Sequence, residues 1–495
     1  MSLGRRRFLG VLGAAGAGLA LGGSTTGCGI SLGQTGEGLT TTARLPAPYT
    51  VPLPVPPVAR PVSTDSDTDV YELTQREASV EILPGLRTPI LGYDGVYPGP
   101  TIVSRSGRRT VVRHVNALGV PTVTHLHGGH TPAASDGFPT DLVQPGDTRE
   151  YEYPMRQRAA TLWYHDHRAD FTGPAVYRGL AGFHLVHDPA EDALGLPSGE
   201  RDVPLMIADR AFEEDGALAY PAIDASMTGV AGVRAAFMEG VLGDVNLVNG
   251  APWPVLEVDA ARYRFRLLNG SNARRYELVL TGGPRFIQVG SDGGLLAAPL
   301  ERGSITMAAG ERFDVVVDFG GLPVGTEITM RNRLARGRTA DVLRFVVARA
   351  VASDESRVPA VLGEVEPLDR AKAVVRREFR FTRGMPGHAG WRINNRLWDA
   401  GRVDAEPALG DLELWRFGTD VHHPVHLHLD PFQVVRRGAE GPTASDRGWK
   451  DTVDIRPGEV VEVLVRFTDY AGKYVMHCHN LEHEDMMMMA NFTTR

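Results

Sequence analysis

Apolar and polar positions alternate over short distances through most of this chain, and the apolar runs end at turn residues. From Val70 onward, runs such as residues 101–103, 110–115, 264–268 and 313–318 are rich in β-branched or aromatic residues and are bounded by Pro, Gly, Asn or Asp. Such runs are typical of strands, and few long helical periods interrupt them. The pattern predicts an all-β protein built from β-sandwiches with Greek-key connections.

One turn-then-strand phrase recurs along the chain. It appears at residues 143–147, 308–312 and 455–459, and each copy places Gly before an acidic residue and ahead of a predicted strand. A chain of 495 residues has room for about three domains of ~100–200 residues each. We therefore predict three related modules, at residues 45–195, 196–355 and 356–495. The polar, proline-containing stretch 353–369 is interpreted as a linker between the last two.

The N-terminus has a different character from the rest. Residues 5–9 (RRRFL) resemble the twin-arginine motif, and an apolar run rich in Gly and Ala follows at residues 11–21. We interpret residues 1–44 as an export signal and leader, which predicts a folded, extracytoplasmic protein. Residues 25–28 (TTGC) loosely resemble a lipoprotein cleavage site, so a lipid anchor at Cys28 stays open. Seven prolines between residues 45 and 61 predict an extended arm.

Charge and cysteine content exclude several classes of protein. The net charge of −8 is mild and well mixed, with no basic stretch suited to a phosphate backbone, so we expect no nucleic-acid partner. After the first thirty residues, no run approaches the roughly 18 apolar residues of a membrane helix. The two cysteines, Cys28 and Cys478, lie in the leader and near the C-terminus, and we expect no disulfide between them. We expect a monomer whose stability comes from its core rather than from crosslinks.

The most informative stretch is residues 477–486 (HCHNLEHEDM), together with Met488. A cysteine, a histidine and a weak axial thioether are ligands of a blue mononuclear copper centre. Cys478, His483 and Met488 supply that set. His477 and His479 flank the cysteine and need a second metal site.

The other histidines are grouped as well. The chain has sixteen histidines, and ten of them fall in four clusters within residues 125–127, 165–167, 423–428 and 477–483. Each cluster contains a His-x-His pair. On a strand, such a pair points both imidazoles to one face, about 6.5 Å apart, and the intervening residue to the other face. One pair arises easily by chance on a surface strand, but four pairs, one of them around Cys478, predict a site with several metal ions.

These clusters resemble the four copper motifs of the multicopper oxidases. The resemblance is carried by HLHGG at 125–129, SDG at 135–137, LWYHDH at 162–167, SDGGL at 291–295 and HED at 483–485. It covers nearly the whole chain after the leader and looks closest to the bacterial spore-coat laccase and bilirubin oxidase branch. It implies three fused cupredoxin-like domains and four copper ions, namely one type 1, one type 2 and a type 3 pair.

The resemblance also implies which residues bind each copper ion. The type 1 ligands would be His423, Cys478, His483 and Met488; the type 2 ligands His125 and His426; and the type 3 ligands His127, His165, His167, His428, His477 and His479. Within the methionine run at 486–489, the family spacing of five residues after the last histidine selects Met488. Every ligand position is filled, which argues against the copper-free structural or cell-division relatives that share this fold.

The resemblance finally implies an activity. A small aromatic reductant would give single electrons to the type 1 site, and Cys478 would pass them through His477 and His479 to the three-copper cluster, where dioxygen becomes two waters. Glu484 and Asp136 are the expected proton relays; the alternative is that they only hold ligands or loops by hydrogen bonds. The expected donors are phenols and aromatic amines, as for a laccase; the alternatives are bilirubin, phenoxazinone precursors, and cuprous or manganous ions. The lack of a separate Met-rich insertion counts against a specialised cuprous oxidase.

Overall fold

The computed structural model describes residues 33–384 and 390–495. The twin-arginine motif and Cys28 lie outside the described residues, so export and lipidation stay predictions. Within the described ranges, no helix is long and apolar enough to cross a membrane.

The first domain is a sandwich of two mixed sheets, preceded by an arm that contains strand β1 (Glu37–Gly38). Its strands are β2 (Ser63–Thr64), β3 (Thr68–Val80), β4 (Thr88–Tyr93), β5 (Gly99–Arg105), β6 (Arg109–Asn116), β7 (Thr124–His127), β8 (Thr148–Tyr153), β9 (Ala160–Asp166) and β10 (Ala181–His187). One sheet contains β2, β3, β4, β6 and β8, and the other contains β5, β10, β9 and β7. Helices α1 (Thr172–Arg178) and α2 (Pro189–Asp192) flank β10 in the chain.

The middle domain is the largest sandwich. Its strands are β11 (Asp202–Arg210), β12 (Val241–Leu242), β13 (Val245–Val248), β14 (Ala251–Pro252), β15 (Val255–Asp259), β16 (Arg262–Asn269), β17 (Tyr276–Leu280), β18 (Phe286–Ser291), β19 (Gly294–Arg302), β20 (Ile305–Met307), β21 (Arg312–Asp318), β22 (Glu327–Asn332) and β23 (Asp341–Arg349). A seven-stranded sheet in the order β14-β13-β11-β16-β21-β18-β19 accompanies a five-stranded sheet in the order β15-β23-β22-β17-β20. Their alternating apolar residues form one core around Phe265, Phe313 and Phe345.

The third domain carries the C-terminal cluster. Its elements are β24 (Val375–Arg383), β25 (Trp391–Ile393), β26 (Leu412–Thr419), β27 (His423–Leu427), β28 (Phe432–Arg437), β29 (Thr452–Ile455), β30 (Val460–Arg466), β31 (Gly472–Cys478), α3 (Leu481–Asp485) and β32 (Met489–Thr494). The sheets run β25-β24-β26-β30-β28 and β29-β27-β31-β32. Their shared core contains Trp415 and Phe417 and also buries Cys478 and Met488.

Short 3-10 helices occupy some of the connections between these elements. They lie at Ala133–Ser135, Gly199–Arg201, Ala235–Phe237, Gly337–Ala340, Arg370–Lys372 and Ala444–Asp446. The longest helix in the described residues, α1, has only seven residues, so the all-β prediction is confirmed.

The same strand arrangement recurs in all three domains. A parallel pair (β3–β6, β11–β16, β24–β26) is followed on the far side by an antiparallel strand (β8, β21, β30). The three turn phrases recognised in the sequence lead directly into these equivalent strands. Gly146, Gly310 and Gly458 each have a positive φ there, a conformation that glycine adopts without a Cβ clash. The six larger sheets of the described residues each fall within one of the three stretches separated at residues 195 and 355, and the domain limits themselves stay predictions.

The proline-rich arm lies across two domains. The Leu53 N–H donates to the Val255 carbonyl of the middle domain, and the Ala59 N–H donates to the Thr101 carbonyl of the first, both at 2.8 Å. Further upstream, β1 pairs in parallel with β12 of the middle domain. The arm is therefore extended and packed, because its backbone groups find partners on neighbouring domains rather than in a helix of its own.

Candidate metal centre

Two strand pairs carry the histidine clusters, one in the first domain and one in the third. In the first domain, β7 and β9 pair antiparallel with His125 opposite His165. In the third domain, β27 and β31 pair antiparallel with His426 opposite His477. Because residues two apart on a strand share a face, each ladder presents several imidazoles to the same side. Both ladders are buried, so these side chains meet away from bulk water.

Eight buried histidines meet between the first and third domains, and we call them the interdomain cluster. They form three groups in which the ligand nitrogens lie within 4.8 Å of one another: His127, His165 and His479; His167, His428 and His477; and His125, His426 and His428. Every group takes residues from both domains. The site is therefore complete only when the two domains are packed together.

The chemistry of these nitrogens fits bound cations. Among the described residues, Nδ1 of His127, Nε2 of His165 and both ring nitrogens of His479 have no hydrogen-bond partner. Burial lowers the pKa of these imidazoles, to about 3 for His165, so they are neutral and keep a free lone pair. An unsatisfied buried polar group costs roughly 1–3 kcal/mol. Copper ions held between neutral imidazoles would satisfy these lone pairs.

Main-chain carbonyls determine which nitrogen of several rings faces the cluster. The Nδ1–H of His165 donates to the Asp166 carbonyl at 2.8 Å, and that of His426 donates to the Asp451 carbonyl at 2.9 Å. Nδ1 of His125 also contacts a main-chain carbonyl. A proton held at Nδ1 leaves the lone pair on Nε2. The Nε2 atoms of His125 and His426 accordingly face each other at 3.4 Å.

A second group forms around Cys478 at the end of β31, and we call His423, Cys478 and His483 the cysteine group. The sulfur lies 3.3 Å from Nδ1 of His423 and 3.5 Å from Nδ1 of His483. Met488 is buried in the same core, and its carbonyl accepts a hydrogen bond from the Cys478 N–H at 3.1 Å. One thiol and two imidazoles thus converge, with the predicted thioether ligand in the surrounding core, as a blue copper centre requires.

In the cysteine group, the imidazole nitrogens that face away from the sulfur also have hydrogen-bond partners. Nε2 of His423 lies 3.1 Å from a carboxylate oxygen of Asp420, and the Nε2–H of His483 donates to the Glu239 carbonyl at 3.1 Å. The Trp391 indole covers His483 with the ring centroids 3.7 Å apart. These contacts leave both Nδ1 lone pairs directed at the sulfur, where a metal ion would bind.

The two expected proton relays, Glu484 and Asp136, both contact imidazoles of the interdomain cluster. Oε2 of Glu484 lies 3.0 Å from Nδ1 of His477, and Oδ2 of Asp136 lies 2.8 Å from Nδ1 of His428. Burial raises the pKa of Asp136 well above its usual value. Burial acts in the same direction on Glu484, but His477 and His167 outweigh it and hold the pKa of that carboxyl below its usual range. These contacts suit residues that orient ligands, and the relay role stays a prediction.

A cavity of about 260 Å³ leads to the interdomain cluster. Its lining includes the buried His125 and His428. Arg156, also in the lining, has 69% of its side chain exposed. The cavity therefore gives a molecule as small as dioxygen or water a route to the histidines that does not pass the cysteine group.

Three further residues support the two centres and were not predicted as site residues. Asp451 contacts Nε2 of His127 at 3.0 Å, Arg312 pairs with Asp451, and Trp391 covers the cysteine group. The only sequence signal was indirect, since Arg312 ends the recurring turn at residues 308–312. Arg312 and Asp451 lie 139 residues apart in the chain, so their pairing cannot be predicted from sequence spacing.

Comparison with known proteins agrees with this geometry. Two family models described as Multicopper oxidase match residues 74–191 and 371–495. The chain is 36% identical to a laccase of Bacillus subtilis (strain 168), over 88% of this chain and 96% of that protein. It is 35% identical to a bilirubin oxidase of Albifimbria verrucaria, over 90% of this chain and 81% of that protein.

Solved structures show the same similarity at the level of the fold. The crystal structure of a laccase from Pediococcus acidilactici matches with a TM-score of 0.82 and 29% identity, covering 92% of this chain and 96% of that one. The McoA multicopper oxidase from Aquifex aeolicus matches with a TM-score of 0.79 and 34% identity, covering 90% and 99%. The predicted fold of three fused cupredoxin-like domains is thereby confirmed.

The turn at Gly310 provides a test of how tightly the interdomain cluster is packed. A Cβ at this position would lie 3.0 Å from Cγ and Cδ2 of His479 and 3.1 Å from Cε1 of His127. We expect Gly310→Ala to displace these rings and to lower the number of copper ions bound per chain. The measurement is the copper-to-protein ratio of the purified, copper-loaded variant.

Gly458→Ala is the matched control for this substitution. Gly458 occupies the equivalent turn of the third domain with a φ of +71°, against +84° for Gly310, and a Cβ there would meet nothing within 4 Å. Both alanines carry a backbone strain of roughly 1–2 kcal/mol, but only Gly310→Ala should lose copper. Equal copper content in the two variants would contradict the packing argument.

Proposed function

The chain belongs to the multicopper oxidase family and is a copper-dependent oxidoreductase, and we propose that it is a laccase-like oxidase of phenols and aromatic amines. Copper, four ions in this family, would supply one-electron acceptance at the cysteine group and four-electron reduction of dioxygen to two waters at the interdomain cluster. One observation carries the proposal. Cys478 belongs to the cysteine group, while its chain neighbours His477 and His479 belong to two different groups of the interdomain cluster.

This arrangement gives electrons a short covalent route. His477 groups with His167 and His428, on the far side of the strand from the sulfur of Cys478. The backbone of three consecutive residues therefore joins the place where electrons enter to the place where dioxygen is reduced. Separating the two places lets a donor of single electrons feed a reaction that needs four.

The surface around the cysteine group supports a small aromatic donor. His483 lies against the buried Trp391, and its Nε2–H donates to the Glu239 carbonyl, so a donor would approach the partly exposed Glu239 rather than the imidazole itself. The loop preceding Glu239 approaches Met486, three residues after His483, since a Cβ at Gly232 would lie 3.6 Å from Cγ of Met486. The same loop exposes the apolar side chains of Ile223 and Val230, at 55% and 61% of their area. Apolar side chains suit the face of an aromatic ring. The names of the relatives, laccase and bilirubin oxidase, point to the same class of donor.

Proton supply is the proposed role of the two buried carboxyls. Asp136 would hold a proton between its Oδ2 and Nδ1 of His428, and Glu484 would do so between its Oε2 and Nδ1 of His477. Both oxygens lie within hydrogen-bond reach of rings in the interdomain cluster, as a general acid requires. The cavity that reaches His428 would admit dioxygen and release water.

We also propose that the protein works outside the cytoplasm as a monomer, with a lipid anchor at Cys28 as one form of attachment. The twin-arginine motif at residues 5–9 supports export, because that route carries folded cargo and this protein must assemble its metal. Cell fractionation tests the proposal, and a protein that stays in the cytoplasm would contradict it.

The activity is tested by combining copper analysis with oxygen uptake. We expect the isolated protein to bind copper, to be blue, and to consume dioxygen fastest with phenols and aromatic amines. The panel should include bilirubin, aminophenols, and cuprous and manganous salts. A clear preference for one of these would reassign the substrate, whereas a colourless, redox-inactive protein after copper loading would contradict an oxidase altogether.

Glu484→Gln tests the proton relay. The substitution keeps the shape of the side chain but removes the carboxylate that takes up and releases a proton beside His477. We expect the blue absorption to remain and the steady-state reduction of dioxygen to slow by about a hundredfold, the lower range of proton-transfer contributions. Oxygen uptake under saturating donor provides the measurement.

Glu482→Gln serves as the control for this test. Glu482 lies on the same helix α3 and is equally buried, but its oxygens accept hydrogen bonds from Tyr220, Asn272 and the Val241 N–H rather than contacting an imidazole of the cluster. This variant should retain turnover. If Glu484→Gln retained it as well, Glu484 would have no part in proton transfer.

A further inference from the structure

The middle domain supplies none of the histidines of the interdomain cluster, yet one of its side chains reaches the edge of that cluster. Arg312, the first residue of β21, is completely buried. Its guanidinium donates to both carboxylate oxygens of Asp451, with the Nη1–Oδ1 distance at 2.7 Å. Such a two-pronged pair fixes the plane of the carboxylate as well as its charge.

Asp451 in turn contacts two predicted copper ligands from different domains. Its Oδ1 lies 3.0 Å from Nε2 of His127, and its main-chain carbonyl accepts a hydrogen bond from Nδ1–H of His426 at 2.9 Å. The rings of His127 and His426 stack with centroids 3.6 Å apart and an angle of 13°. One residue therefore sets the orientation of a stacked pair of imidazoles.

Arg312 also determines the direction of the hydrogen bond between Asp451 and His127. A guanidinium only donates, so the carboxylate that it holds acts as an acceptor. His127 must then donate from Nε2, which leaves its Nδ1 lone pair for the cluster. His426 donates from Nδ1 and presents Nε2 instead. The arginine thus selects the nitrogen that His127 presents to the cluster, and the main-chain carbonyl of the same aspartate selects the opposite nitrogen of His426.

The middle domain also binds the segment that carries Asp451, residues 450–452, through further contacts. Asp292 accepts a hydrogen bond from the Arg312 N–H at 2.8 Å, and its other oxygen accepts from the Asp451 N–H at 3.2 Å. Lys450, completely buried, pairs with Asp292 and with Glu311, both at 2.9 Å. Residues 450–452 are thereby fixed to the middle domain on the side away from the histidines.

We propose that Arg312 is a positioning residue for dioxygen reduction, through which the middle domain orients His127 and His426 by fixing Asp451. The inference rests on the proposed function, because it concerns how this chain prepares its copper ligands. Its competitor is a purely structural role, in which Arg312 is one more buried ion pair between domains. A purely structural role would lower only the stability of the protein when the arginine is replaced. A positioning role would also change the metal site.

Arg264 offers a matched comparison. It is also a buried arginine on a strand of the middle domain, and it pairs with Asp314 and Glu191 at 2.8 Å. Neither partner belongs to the interdomain cluster or to the cysteine group. Arg264→Met and Arg312→Met each remove the guanidinium from a buried ion pair, which is strongly destabilising. Only Arg312→Met removes support from copper ligands.

The experiment compares copper content, the electron paramagnetic resonance spectrum and thermal unfolding of copper-loaded wild type, Arg312→Met and Arg264→Met. We expect both variants to unfold at lower temperature. Only Arg312→Met should lose copper from the interdomain cluster and change the type 2 signal, while the blue absorption of the cysteine group remains. Unchanged copper content and spectrum in Arg312→Met, or the same change in Arg264→Met, would overturn the proposal.

Arg312→Lys keeps the test decisive if the methionine variant does not fold. Lysine retains the charge but lacks the planar fork, so it cannot hold both oxygens of Asp451 in one plane. We expect a smaller change in the same type 2 signal, and a spectrum identical to that of wild type would overturn the proposal. Failure of the proposed function is distinguishable, because the wild type itself would then fail to bind its copper.

Discussion

Eight imidazoles buried between two domains are the constraint on which the rest of this structure depends. Burial removes water from their nitrogens, and several lone pairs, such as Nδ1 of His127 and Nε2 of His165, are left without a hydrogen-bond partner in the described residues. Buried polar groups are costly unless something satisfies them. A site of this kind persists only if the surrounding framework holds the rings in place, and it is satisfied when metal ions bind between them.

The surrounding structure orients the imidazoles in two ways. It forms hydrogen bonds to the ring nitrogens that face away from the cluster, and it uses the alternation of side chains along a strand. Carbonyls and carboxylates such as those of Asp451 hold one nitrogen of a ring and leave the other for metal. At the end of β31, alternation places Cys478 in the apolar core of the third domain and its flanking histidines in the interdomain cluster. The alternation of side chains thus places the two kinds of centre on opposite faces of the strand, and the peptide bonds that flank Cys478 connect them.

Much of this could be predicted from the sequence, because the information was local. Short strands, the recurring turn and the His-x-His pairs each depend on residues within a few positions of one another, and the ligand groups use residues that the pattern had singled out. The cover over His483 and the support of His127 could not be predicted in the same way. Glu239 and Arg312 meet their partners through packing between domains, and Trp391 meets His483 through the fold of the third domain. Neither residue type nor spacing marks these three as part of a metal site.

Diffraction from crystals of the copper-loaded protein, recorded at the copper absorption edge, tests the central claim most directly. The account predicts four anomalous peaks in each chain. One should lie between the Cys478 sulfur and the Nδ1 atoms of His423 and His483, and three should lie among the imidazoles of the interdomain cluster. Fewer than three peaks within the cluster, or none beside Cys478, would contradict the account.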